Sequence, residues 1–149
     1  MPCGRHTKDE CPLKRQNGNC NWSCIIYRAK IVKSGGIYIG RTRNSFHKRY
    51  TDYKGYLNRR EYDHNGLTEE AGKYGIVNIK TIQFSILEQV NDGDCGGFEC
   101  VLCALESDYI QQQLEMCPTK CLNKQLSASC RCRKSKTKAC KQKQKCHKL

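Results

Sequence analysis

The sequence predicts an α/β (α+β) domain: a small, mostly antiparallel three-stranded sheet flanked by helices. Three observations carry that expectation. β-branched and aromatic residues run on both sides of a Gly-Gly turn between residues 24 and 40, two later segments repeat apolar residues at helical spacing, and one segment between those two alternates apolar with polar residues. The domain is assigned to residues 24–126, behind a Cys-containing extension, 1–23, and ahead of a basic Cys/Lys-rich tail, 127–149.

The elements follow in order. Cys24-Ile25-Ile26-Tyr27 and Ala29-Lys30-Ile31-Val32 make one strand, Lys33-Ser34-Gly35-Gly36 is a turn, and Ile37-Tyr38-Ile39 begins its hairpin partner. Asn44 or Ser45 can cap a helix reaching about Arg60, because Phe46, Tyr50, Tyr53 and Leu57 fall on one face of a 3.6-residue period. The loop Asp63-His64-Asn65-Gly66 leads into a short helix, Leu67 to Ala71, that should stop near Tyr74-Gly75. Ile79 to Leu87 alternates and predicts the third strand. After the loop Asn91 to Gly97, a last helix carries Val101, Leu102, Leu105 and Tyr109 as its apolar stripe, and Pro118 closes it. Residues 1–23, with Cys3, His6, Cys11 and Cys20, read as an irregular lead-in with little to add to a core.

With 149 residues there is room for one compact domain and not for two. The formal charge is +13, and nine basic residues with no acidic one lie between Ser127 and Leu149, so residues 1–126 hold only +4. Such a run attracts polyanions, nucleic acid first among them, without reading sequence; a merely solubilising tail has the same composition. No apolar run is long enough to cross a bilayer and MPCGRHTKDE is not a secretory signal, so a soluble, intracellular protein is expected. Thirteen cysteines then read as thiols or metal ligands, whereas in a secreted protein they would read as disulfides. Cys130, Cys132, Cys140 and Cys146 or His147 have spacings that suit tetrahedral Zn²⁺ in the tail.

Two tripeptides stand out, Ile25-Ile26-Tyr27 and Tyr38-Ile39-Gly40, separated by ten residues. With Arg49 on the next helix, Ser85-Ile86-Leu87-Glu88 at the end of the third strand and Glu106 on the last helix, they resemble the GIY-YIG nuclease family over roughly residues 24 to 126. Tyr27 and Tyr38 can stand on one face of the hairpin, where core packing alone would account for them. The resemblance implies more: Tyr27 as general base for water, Tyr38 in support, and Arg41 as the cation a phenolate needs. It implies that Arg49 forks the scissile phosphate, with Tyr53 one turn on, and that Asn123 supports the site. Glu106 interrupts an apolar flank, which asks for a metal or a basic partner; the resemblance makes it the carboxylate ligand of Mg²⁺ or Mn²⁺. His47 and His64 read as surface histidines. Ile25 replaces the family's glycine, which implies altered packing beside Tyr27. The function so implied is metal-dependent hydrolysis of phosphodiester bonds in DNA, with DNA, or RNA, as the bound partner; a non-catalytic, zinc-stabilised nucleic-acid-binding protein on the same fold is the alternative.

Overall fold

Alternation along Ile25–Ile31 sets the architecture. Ile25, Tyr27, Ala29 and Ile31 face one side and Cys24 and Ile26 the other, and each set joins a different apolar cluster. A strand buried on both faces needs cover on both. The computed structural model, which describes residues 11–13, 19–91 and 100–124, supplies that cover with helices. Strand β1 (Ile25–Ile31) lies centrally in a three-stranded antiparallel sheet of order β2-β1-β3, with β2 at Ile37–Thr42 and β3 at Ile82–Gln89. Helices α1 (Phe46–Asn58) and α2 (Gly66–Lys73) contribute to one cluster, and α3 (Val101–Met116) to the other. The small antiparallel sheet with flanking helices is the expected α+β arrangement.

Gly35 turns the hairpin at φ +74°. Its N–H donates to the Ile31 carbonyl at 2.8 Å, a closure that a residue with a Cβ would strain. In the β1/β2 register Tyr27 faces Gly40, and Ala29 faces Tyr38. Beyond Tyr27 the pairing of β1 with β3 slips by one residue: Ile26 opposes Glu88 and Tyr27 opposes Ile86, so Leu87 is the extra residue of a bulge. Ile25 itself is fully buried in the cluster under α1.

Three expectations need correction. The third strand begins at Ile82, not Ile79, because Asn78 accepts from Lys80 N through its side chain and caps a 3₁₀ turn over Ile79–Thr81. The buried face of α3 is Leu102, Cys103, Glu106, Ile110 and Gln113; Val101 is 39 % exposed, and Leu105 and Tyr109 only flank the cluster. The lead-in is also part of the core. Cys11, Leu13 and Cys20 are buried with Tyr27 and Phe46, and the Cys20 and Trp22 carbonyls accept from His47 N and Phe46 N at 2.6 and 2.8 Å. These bonds, with the Ser45 hydroxyl accepting from Lys48 N, satisfy first-turn donors of α1 that the helix cannot satisfy itself.

The centre of that core is aromatic. Tyr27, Phe46, Tyr53 and Phe84 meet edge-on or tilted at centroid distances of 5.5–6.4 Å, and all four are almost fully buried. Each ring buried this way contributes about 2–3 kcal/mol by area, with edge-to-face contacts adding about 1 kcal/mol. The ring of Tyr27 is thereby fixed by its neighbours. Cys130, Cys132, Cys140, Cys146 and His147 lie outside the described residues. No helix among the described residues is long and apolar enough to cross a membrane.

Candidate active site

Where β2 ends at Thr42 and the chain passes through Arg43 and Asn44 into α1, a cleft of about 420 Å³ opens. It draws from both layers: Tyr27 and Tyr38 come from the side covered by α1 and α2, and Glu106 from α3. Six of the seven candidate residues, Tyr27, Tyr38, Arg41, Arg49, Tyr53 and Glu106, line it, and so do Tyr56, His64 and Asn65.

The two buried phenols are joined. Tyr27 Oη and Tyr53 Oη lie 2.7 Å apart, and Asn65 Nδ2 donates to Tyr53 Oη at 3.0 Å. Burial pushes the Tyr27 phenol well above its ordinary pKa, and the neighbouring Tyr53 and Tyr38 oxygens push the same way against the pull of Arg49. Burial likewise raises Tyr53, while its bonds to Tyr27 and Asn65 and the charge of Arg49 lower it. At neutral pH both carry their protons. The cation that acts on Tyr27 is Arg49; Arg41, expected in that role, is engaged elsewhere.

Arg41 Nη1 donates to Glu106 Oε1 at 2.5 Å, with 13 % and 7 % of the two side chains exposed. A carboxylate at the centre of α3's buried face is tolerated because this guanidinium neutralises it, and a buried pair of this kind is broken only at a cost of several kcal/mol. Arg49 differs. Its Nε is buried without a hydrogen-bond partner, and it forms no ion pair among the described residues. Burial lowers its pKa, but Tyr27, Tyr53, Asp52 and Tyr38 together outweigh burial and hold the guanidinium above its ordinary value. It stays charged throughout the accessible pH range.

Gly40 explains the closeness of β2 to Tyr27. A Cβ on residue 40 would overlap Tyr27 Cζ and Oη and lie 2.8 Å from Cε2, so only glycine lets the ring lie across the strand. Asn123 stands outside the cleft. Its side chain bonds the backbone of Ile39 twice, accepting from N at 2.9 Å and donating to O at 2.8 Å, in the manner of a neighbouring strand. With Leu122 N donating to Ile37 O, it covers the outer edge of β2 and holds the strand that carries Tyr38, Gly40 and Arg41.

No family model, curated protein or solved structure matches this chain. Its chemistry is therefore read from the cleft. Among the described residues no three His, Cys, Asp or Glu side chains gather as a metal site. Among the described residues, Glu106 is the one carboxylate on the cleft. A hard cation that keeps most of its shell as water and phosphate oxygen needs no more than that from the protein, although Arg41 competes for Oε1. The group as a whole can bind an anion through Arg49 and relay a proton between phenols.

Tyr56, His64 and Asn65 line the cleft although the sequence assigns them no role in it. His64 is exposed, as expected, and its ring stacks on Tyr56 at 3.6 Å and 16°. Asn65 had a legible signal. It precedes a helix and is followed three residues later by Thr68, and the two form a capping box, Asn65 Oδ1 accepting from Thr68 N and Thr68 Oγ1 from Asn65 N.

Proposed function

We propose that this chain is a metal-dependent endonuclease of the GIY-YIG type, hydrolysing phosphodiester bonds in DNA. The observation that carries the reading is convergence. Residues far apart in sequence, from β1, β2, α1 and α3, bring phenols, two guanidiniums and a carboxylate to one cleft.

In this reading Arg49 receives the phosphate first, because it is a half-buried cation on the cleft whose Nε has no hydrogen-bond partner. Charge that grows on the phosphoryl oxygens during attack is stabilised by donors already in place, with no reorganisation at the moment of reaction. The Tyr27–Tyr53 pair, having lost one proton to solvent, takes a proton from the attacking water. The phosphorus–ester oxygen bond breaks with its electron pair, and the released oxygen is protonated by solvent. Glu106 would hold Mg²⁺ or Mn²⁺, which supplies Lewis-acid polarisation of the phosphoryl group. Arg41, paired with Glu106 here, would be available to the phosphate if Glu106 held that cation. The basic tail adds grip that does not depend on sequence.

The Arg41–Glu106 pair also favours a second reading, a nucleic-acid-binding protein without catalysis, since a neutralised carboxylate has no need of a metal. Plasmid nicking separates the two. The purified chain should cut with Mg²⁺ and not with EDTA, and Glu106→Ala should abolish cutting while leaving DNA binding. Equal cutting by Glu106→Ala removes the mechanism; binding without cutting under any divalent cation leaves the second reading.

A further inference from the structure

Asn65 sits at the N-terminus of α2, and its side chain has two tasks. Oδ1 accepts from Thr68 N at 3.1 Å to cap the helix, and this fixes the amide so that Nδ2 points at Tyr53 Oη, 3.0 Å away. Tyr53 Oη is also 2.7 Å from Tyr27 Oη, in a bond for which either oxygen can be the donor. A neutral Tyr53 that receives both the Asn65 N–H and the Tyr27 hydroxyl must still place its own proton. Once that proton is gone the same two donors solvate the oxygen fully. The hydrogen bonds at Tyr53 therefore favour its phenolate, against the burial that holds its pKa above the ordinary value.

We propose that Asn65 is a positioning residue for the reaction: by donating to Tyr53 it makes that oxygen, and not Tyr27's, the seat of negative charge in the pair. The proposal rests on the nuclease reading above and assigns the proton's path within it. Water gives its proton to Tyr27 Oη as Tyr27 gives its own to the Tyr53 oxygen. Both phenols end neutral, and hydroxide is left to attack. The groups that act most on the pair are Arg49 and Tyr56 from α1 and Tyr38 from β2, with Asp52 acting on Arg49; Arg41 and Arg43, His64 beside Asn65, and Glu106 from α3 line the same cleft. Arg49 is the cation that acts on both phenols, and all of these groups are common to every variant of Asn65.

The test separates positioning from capping. Serine caps a helix about as well as asparagine but has no amide to offer Tyr53. Aspartate keeps the capping oxygen and replaces the donor with a negative charge. Single-turnover cleavage of a DNA duplex with Mg²⁺ should rise with pH on a limb set by the phenol pair. Asn65→Ser should move that limb upward, so that below it cleavage is slower by on the order of tenfold; Asn65→Asp should move it further, and rates on the plateau should converge. Carbon-13 NMR of the tyrosine Cζ atoms, on the metal-free full chain, should show Tyr53 titrating later in the same order. Variants slower by one factor at every pH, with Tyr53 titrating as in the parent, would overturn the role of Asn65 and leave the nuclease reading intact. A parent chain that cuts no DNA would overturn both.

Discussion

Replacing Gly40 with alanine tests how tightly the sheet grips the phenol at the heart of the cleft. The new methyl would overlap Tyr27 Cζ and Oη and lie 2.8 Å from Cε2. The Tyr27 ring has nowhere to retreat, since it packs on Phe46, Tyr53 and Phe84 at 5.9, 6.3 and 6.4 Å between centroids. Overpacking a well-filled core costs about 1–3 kcal/mol, and the rigidity of these neighbours puts Gly40→Ala at the upper end, about 3 kcal/mol. For a domain of this size that lowers Tm by about 10 °C. Thermal and urea melts of the full chain measure both. Because the clash is with the distal part of the ring, Tyr27→Leu should relieve it, so Gly40→Ala made in that background should cost less than about 1 kcal/mol, a coupling of about 2 kcal/mol in a double-mutant cycle. A loss below about 1 kcal/mol in the parent, or an equal loss in both backgrounds, would refute the claim that Gly40 exists to admit Tyr27.

Other consequences follow from the same geometry. Tyr27, Tyr50 and Tyr53 have raised pKa values in the folded chain, so they hold protons that the unfolded chain releases near pH 10; stability should be full below that pH and fall as pH rises above it, measured as urea midpoints. Arg41→Ala removes the Arg41 ion pair from the buried Glu106 carboxylate and should cost about 3 kcal/mol, whereas Arg41→Met with Glu106→Leu should recover most of it; equal losses in single and double variants would show that the pair is not coupled. Asn123→Ala strips two bonds from Ile39 on the edge of β2 and should cost about 1–3 kcal/mol, with faster hydrogen exchange at Ile39 N as its local mark.

What the sequence discloses about this fold is mostly local. Gly35-Gly36 between two β-rich runs, and Phe46, Tyr50, Tyr53 and Leu57 at helical spacing, specify the hairpin and α1 because each signal lies within one element. The buried face of α3 is decided by a tertiary contact. A stripe drawn through apolar residues passes by Glu106, but Arg41, 65 residues earlier, neutralises that carboxylate and lets the buried face centre on it. The start of β3 was lost to Asn78, whose side chain competes with the strand. Cys11, Leu13 and Cys20 fill the core from a segment with no periodicity to announce it. Six of the seven residues named from sequence line the cleft and Asn123 does not, but the bonds within it, Tyr27 to Tyr53 and Tyr53 to Asn65, span 26 and 12 residues and leave no pattern along the chain.

The central claim is that one cleft cuts one phosphodiester with a carboxylate, a free guanidinium and a phenol pair acting together. Single-turnover cleavage of a labelled duplex by the parent chain, Glu106→Gln and Arg49→Met, each shown by thermal melts to be folded at the assay temperature, tests it most directly. Mg²⁺-dependent strand scission by the parent, reduced by at least two orders of magnitude in each variant, is the expected result. Scission at parental rates by either folded variant, or none by the parent with Mg²⁺ or Mn²⁺, would contradict it.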